Sequence, residues 1–444
     1  MTAPPTTNPP TEPDEEPAES NGVLLRRRSR FSAALLTTPG QLALATTVAV
    51  VACLLLSVTG YLAGNNQAAA LQNAQRDAAQ LVGTQELRND LVSADATATN
   101  AFLVGGLEPS AARDNYEGSL SAAAQAVPSL AAGANAAEAT DLATVSDSVQ
   151  EYAGLVESAR ANNRQGFPVG AAYLDQASAA LRDGVLPTLD EVAISTSERV
   201  DADMGSVSLA QLLLVFVLLA LVALAAVQLW LARRTHRVLN TGLAAASVAL
   251  LVGGIVTIAA VLGGTGVARS VASGPYAATV ATSQALSLAT DAKSMESFTL
   301  IKRGSGAAFE GSYQTSLTEA RSLLSEADEA TLTNDDGARG SGSLDLLDAW
   351  DARHTEIRAL DDDGDWDAAV DAATSTADDS AGAAFTAFTE QARTEVEATS
   401  SDAVSRLGSA ATTARIAAWV ALVLGIAGAV AAAAGMNVRL KEYR

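Results

Sequence analysis

Two histidines, one cysteine and a run of acids are the residues in this 444-residue chain with the types to do chemistry. The topology derived below puts His236 and His354 on opposite faces of a membrane, so they form no histidine-based metal site or paired-histidine relay within one chain. Cys53 lies in an uncharged apolar stretch. A lone cysteine offers neither an internal disulfide nor a thiolate ligand set and reads as a small hydrophobe. The run Asp361-Asp362-Asp363-Gly364-Asp365-Trp366-Asp367 has the ligand types of a calcium loop. With Asp361, Asp363 and Asp365 at positions one, three and five, however, position six is Trp366 where the loop needs glycine. It reads as a solvated acidic turn. No Gly-x-x-x-x-Gly-Lys-Ser/Thr sequence is present to cradle nucleotide phosphates. The inventory therefore predicts no catalytic residue, no metal and no cofactor, hence no enzyme. A net charge of −22 argues against nucleic acid as a partner.

What remains is recognition. Phe167 and Trp366 fall in predicted turns among polar and acidic neighbours, where an aromatic ring can anchor a protein partner or simply cap the end of a helical bundle. With Asp363 and Asp365 they form the candidate partner-binding set. Arg113, Lys302 and Arg303 lie near the same turns and could meet an anionic ligand directly. Arg233, Arg234 and Arg237 are the candidate cytoplasmic output residues, although they serve equally as topology signals.

These residues are positioned by a repeated unit. Asp95, Phe102, Tyr116 and Leu120 match Asp291, Phe298, Tyr313 and Leu317, with Tyr-Glu-Gly-Ser-Leu answered by Tyr-Gln-Thr-Ser-Leu. Each copy lies between uncharged stretches long enough to cross about 30 Å of hydrocarbon. The spans are placed at 41–63, 207–232, 241–264 and 413–437. Arginines and lysine at Arg26–Arg30, Arg233–Arg237 and Arg439–Arg444 flank them on one side, which the positive-inside bias assigns to the cytoplasm. The predicted location is the plasma (inner) membrane, multi-pass and in contact with its lipids, with both termini cytoplasmic. Residues 1–40 read as a disordered, Pro- and acid-rich cytoplasmic tail ending in a basic juxtamembrane segment. Residues 233–240 read as a cytoplasmic turn and 438–444 as a cytoplasmic end.

Residues 64–206 and 265–412 then face outward, with 19 acids against 7 bases and 25 against 10. Alanine abundance and an aromatic content of only 4% favour helix over sheet. Breakers fall at Gly105–Pro109, Pro128–Asn135 and Gly166–Pro168, and again at Gly304–Gly306, Asn334–Gly342 and Asp361–Trp366. The fold class is therefore all-α: four transmembrane helices plus two duplicated extracellular up-down-up-down four-helix bundles. The first helix of each bundle is expected to run unbroken out of its span, and the last, 168–206 or 367–412, unbroken back. Gly60, Gly64, Gly253, Gly254, Gly425, Gly428 and Gly435 are spaced for close packing among the spans.

A span, a four-helix periplasmic bundle and a second span resembles one subunit of a bacterial chemoreceptor, and the repeat looks like both subunits of its dimer fused in one chain. The architecture and the basic lead-in through Thr38-Pro39-Gly40 also resemble the GlnX-type four-pass membrane sensors of actinobacteria, encoded beside a glutamine-binding lipoprotein and the soluble Ser/Thr protein kinase G. That resemblance implies a transmembrane relay that docks an extracellular solute-binding protein of the amino-acid class and acts on a cytoplasmic effector such as a Ser/Thr kinase. The alternatives are a direct small-molecule, chemoreceptor-like sensor and a non-signalling scaffold of a membrane complex.

Overall fold

The computed structural model describes residues 38–104, 108–166, 168–235, 241–332 and 342–442, with no strand among them. Eleven α-helices follow in order among these residues: α1 Thr38–Val104, α2 Ser110–Gly133, α3 Ala136–Arg164, α4 Val169–Ala180, α5 Leu186–Thr235, α6 Thr241–Ser273, α7 Pro275–Ile301, α8 Ala307–Leu332, α9 Ser343–Asp362, α10 Trp366–Thr374 and α11 Ala381–Glu442. Stretches long and apolar enough to cross a membrane occur within Gly40–Val104, at Leu213–Trp230, within Thr241–Ile301 and within Ala381–Asn437. The chain divides into two compact units, one formed from the described parts of Met1–Gly60, Val215–Ile255 and Val420–Arg444, the other from Tyr61–Leu214 and Val256–Trp419.

The first unit is held by small side chains. Ala49, Cys53 and Leu56 of α1, Val217 and Leu224 of α5, Leu243 and Ala246 of α6, and Ala432 of α11 form its core. Opposite faces stay bare: Val48, Val51 and Val58 on α1, Leu218 and Val222 on α5, and Leu251 and Ile255 on α6 are exposed at helical spacing. A stripe of that kind is what lipid tails would cover. Between the helices there is no room for side chains at two glycines. A Cβ on Gly425 would stand 2.6 Å from the Ser57 Cβ and 2.8 Å from the Cys53 carbonyl, and one on Gly242 would stand 2.5 Å from Gly435. The approach lets Ser57 Oγ donate to the Leu422 carbonyl at 2.9 Å.

The second unit has two main cores. Leu91, Tyr116, Leu142, Tyr152, Leu174 and Leu189 bring together α1 to α5. Leu286, Tyr313, Leu347, Trp350, Ala369 and Phe388 bring together α7 to α11. The cores interlock, because Phe298 of α7 is buried in the first and Leu103 of α1 in the second. A third, lighter core joins Leu71, Ala74, Ala78 and Leu81 of α1 to Val200, Val271, Ala403 and Leu407. The spacing of three and four along α1 is the period of a helix face. Alanine removes little apolar area from water, so at about 25 cal/mol per Å² this seam holds more weakly than leucine would.

Local chemistry explains where helices stop. Asn135 caps α3 with its side-chain oxygen accepting from the Ala137 and Glu138 amides at 2.9 and 3.1 Å, while Glu138 accepts from the Asn135 amide at 3.1 Å. Glu138 also takes Ser195 Oγ at 2.6 Å and pairs with Arg199, which ties this turn to α5. Burial opposes ionisation of Glu138, but Ser195, Arg199 and the Asn135 amide outweigh it and hold the carboxyl below its usual range. Gly364 turns the chain between α9 and α10 at φ +84°, a conformation that disfavours a side chain.

Four expectations need correction. Pro128 does not break a helix; it lies inside α2, which continues to Gly133 and buries Leu130. The segment 168–206 is not one regular helix but contains a π turn at Leu181–Val185, followed by Pro187. Proline has no N–H to donate to Asp183, and its ring crowds that carbonyl, so the wider turn relieves both. The helix leaving the third span stops at Ser273 and restarts at Pro275, again where proline cannot donate. The last segment is interrupted over 375–380, where Ser375 Oγ and Ser380 Oγ accept from the Ala377 and Ala383 amides and compete with the helical ladder.

The close approach at Gly425 makes Gly425→Leu a test of the span packing. Thermal unfolding in detergent should show it about 1–3 kcal/mol less stable than the control Gly263→Leu, since Gly263 has nothing within 4 Å of its Cβ position. Equal melting of the two variants would contradict the packing.

Candidate functional site

Asp95 and Asp291, matched positions of the sequence repeat, meet on one arginine. Arg182, in the π turn, places Nε 3.0 Å from Asp291 and Nη2 3.4 Å from Asp95, and its guanidinium lies 5.3 Å from the centre of the Phe298 ring. Asp95 is 1% exposed. It accepts from Ser178 Oγ at 2.5 Å, Ser294 Oγ at 2.8 Å and the Tyr152 hydroxyl at 3.4 Å, so both halves satisfy one buried carboxylate. Burial raises the Asp291 carboxyl above its ordinary range against the pull of Arg182. The junction extends along α1 and α7. Thr99 Oγ1 is 3.3 Å from Ser294 Oγ, Arg88 donates to Ser287 at 2.8 Å and pairs with Asp190, and Asn89 donates to Ser283 at 3.2 Å. Lys302 to Asp175 at 2.9 Å closes it at the end of α7.

Where α1 to α4 converge beside this junction, a cavity of about 250 Å³ opens between Phe102, Glu108, Arg113, Val156, Arg160 and Leu174. Arg160 is 9% exposed and fixed on three sides: Glu108 at 2.7 Å, Glu157 at 2.8 Å and the Tyr116 ring 4.1 Å beneath it. Burial pushes the Tyr116 hydroxyl up, more than Arg160 draws it down. The cavity wall is closed where Gly170 lets α4 approach α3, a Cβ there standing 3.0 Å from the Ala159 carbonyl. Asn163 helps, donating to the Phe102 carbonyl at 3.2 Å.

The second half places a different group on its matching tyrosine. His354 stacks on Tyr313 at 3.6 Å, 1% exposed, with Nδ1 2.9 Å from Glu296 and Nε2 3.2 Å from Glu310. Lys293 pairs with Glu296 from below, and Arg358 Nε lies 3.6 Å from Glu310. Burial disfavours the imidazolium, but the bonds and charges of Glu296 and Glu310 outweigh it, so the His354 pKa is raised. Burial likewise opposes ionisation of Glu296, yet Lys293 and His354 hold its carboxyl well below the usual range.

The residues chosen from sequence are dispersed. Asp363 and Asp365 are exposed, the latter accepting from the Ala368 amide at 3.3 Å to cap α10. Trp366 is half-buried against the second core. Its indole N–H donates to the Leu300 carbonyl at 2.9 Å and Arg303 lies 3.8 Å over its ring. The ring is thus engaged in closing the end of the helices. Phe167 and Arg237 lie outside the described residues. Arg233 is exposed near the end of α5, and Arg234 belongs to the same helix. Of the three basic residues placed near the turns, Arg113 lines the cavity, while Lys302 and Arg303 are taken up by Asp175 and Trp366.

Residues 70–205 match the actinobacterial sensor domain family. The match supports an actinobacterial sensor, and with four helices able to cross a membrane it suggests a membrane sensor. It takes in Asp95, Arg182 and every wall of the cavity. No curated protein and no solved structure matches the chain.

Arg160, Arg182 and the His354 cluster were missed by sequence reasoning. Arg182 and Arg160 carried a signal, as isolated arginines in a strongly acidic segment, one of them five residues before a proline.

A raised His354 pKa means the imidazolium contributes stability fully below its unfolded value of about 6.5, and that contribution is lost as pH rises through the folded value. Thermal unfolding of the wild type should therefore weaken above about pH 6.5. His354→Gln should be less stable in mild acid and lack this slope. An unchanged slope in the variant would contradict the assignment.

Proposed function

We propose that the protein is a membrane sensor that acts by binding, with its repeat-bearing segments outside the cell and both chain ends in the cytoplasm. An extracellular solute-binding protein of the amino-acid class docks on the two duplicated bundles. Its loaded or empty state is passed through the spans to a cytoplasmic effector such as a Ser/Thr kinase. Asp363 and Asp365 remain in the proposed docking surface, Trp366 supports it from behind, and Arg233, Arg234 and Arg237 present the output.

The match of residues 70–205 to a sensor family carries this reading. Four long apolar helices support the membrane part of it, and the acidic excess of 64–206 and 265–412 supports a partner surface rather than a nucleic-acid one. Coupling needs an element with two arrangements that binding can bias. Alanine-lined contacts such as Ala74, Ala78 and Ala403 offer little resistance to a small slide. A second reading, direct sensing of a small molecule, is favoured by the cavity beside Arg160.

The deciding experiment is capture of the cell's own amino-acid-binding lipoproteins by the tagged chain from solubilised membranes, with and without their ligands. The proposal expects a several-fold ligand dependence of capture. Capture independent of ligand would make the protein a scaffold, and no capture would remove the docking step.

A further inference from the structure

We propose that the cavity between α1, α2, α3 and α4 is a binding site for a small organic anion, a carboxylate on a compact apolar body. The second half has closed the corresponding place with its own side chains. The inference deepens the direct-sensing reading above, and binding to the purified chain tests it separately from that reading.

The charge of the walls carries the argument. Residues 64–206 hold 7 bases against 19 acids, yet three of those seven, Arg113, Arg160 and Arg164, line this one cavity, with Glu108 its only acidic wall. The remaining walls include the apolar side chains of Ala98, Phe102, Val156 and Leu174. Arginine keeps its charge when buried, and its planar fork matches a carboxylate. Arg160 is spent on Glu108 and Glu157 but sets a fixed positive charge at the base. Arg113 gives Nε to Glu117 at 2.8 Å and Nη2 to Glu157 at 3.3 Å, while its Nη1 stands 3.9 Å from Glu108, beyond hydrogen-bonding distance. Arg164 is exposed at the rim and forms no salt bridge among the described residues, with Glu157 near enough to feel its charge. Arg113 Nη1 and Arg164 are therefore the donors left for an incoming carboxylate. A volume of about 250 Å³ equals roughly eight waters at about 30 Å³ each, which suits a ligand the size of benzoate.

The other half shows what closure looks like. Phe102 and Tyr116 match Phe298 and Tyr313 in the repeat, and four residues before each tyrosine stand Ala112 and Phe309. Phe309 stacks on Phe298 at 5.1 Å, a cover that Ala112 cannot give Phe102. The group on the tyrosine ring is Arg160 in the first half, paired with Glu108 and Glu157, and His354 in the second, stacked flat at 3.6 Å between Glu296 and Glu310.

The test uses the full chain purified in detergent, with benzoate and its neutral isostere benzamide as probes, read by ligand-observed NMR and thermal shift. Benzoate should bind with a dissociation constant on the order of 1 mM or tighter, and benzamide at least about tenfold more weakly, a difference of about 1.4 kcal/mol. Ala101→Leu, which fills the cavity from its wall, should abolish benzoate binding. Arg164→Gln, at the exposed rim, should weaken it several-fold, and it decides the matter if Ala101→Leu does not fold. No benzoate binding, equal binding of benzamide, or undiminished binding by the folded variants would overturn the proposal. Benzoate binding without lipoprotein capture would leave the site and remove docking; the reverse would leave docking and remove the site.

Discussion

One carboxylate kept out of water sets the arrangement of the second unit. Asp95 is fully enclosed, and removing an ionised carboxyl from solvent costs several kcal/mol unless donors replace the water. The donors come from α3, from α4 and the π turn after it, and from α7, so the carboxylate is satisfied only when α7 stands in one register against these elements. Arg182 extends the constraint to Asp291 and joins the acids of α1 and α7. An ion pair of this kind adds little net stability compared with apolar packing, and its contribution is specificity. The neighbours make that specificity necessary. Ala94, Ala98, Ala289 and Ala292 are small and buried along α1 and α7, and small apolar contacts resist sliding weakly, so polar pairs must fix which residue faces which.

From this shared junction the halves diverge. Each keeps a buried tyrosine under a cationic group held by two glutamates, but the side chains that surround the ring differ in size and shape. In the first half a buried guanidinium and the alanine walls Ala98, Ala101 and Ala159 leave space. In the second, a histidine between two glutamates and a stacked phenylalanine fill it. A cavity of about 250 Å³ stands beside Tyr116, whereas the Tyr313 ring is covered by His354. That asymmetry suits a sensor, because a ligand biases only an equilibrium whose two states it meets differently.

Much of this was legible from residue order. The apolar stretches, the glycines that bring Gly425 against Ser57 and Gly242 against Gly435, and the turns at Asn135, Gly166 and Gly364 follow from backbone rules that act within a few residues. The effects of three prolines were also local, yet did not follow from the sequence reading. Pro128 sits within a helix that continues to Gly133 and buries Leu130, whereas Pro187 follows a π turn and Pro275 opens a new helix. The Ser375–Ser380 interruption depends on side-chain hydroxyls outcompeting helical carbonyls as acceptors for backbone amides, a balance that composition alone does not decide. The repeat flagged Asp95, Phe102 and Tyr116, but not why they matter. Their partners, Arg182, Arg160 and Ser294, are brought in from elements as many as 199 positions away, and spacing along the chain carries no trace of that. The acids around Trp366 left two readings open, an anchor for a partner or a cap on the helix ends, and its indole N–H on the Leu300 carbonyl matches the cap.

The junction is most directly tested by joining it covalently. In a Cys53→Ser chain carrying Thr99→Cys and Ser294→Cys, whose native hydroxyls stand 3.3 Å apart, mild oxidation with copper-phenanthroline should form an intramolecular bond. With a protease site inserted in the 236–240 segment, the cleaved chain should then run as one species without reductant and as two fragments with it. Two fragments under both conditions would contradict the shared junction and the account built on it.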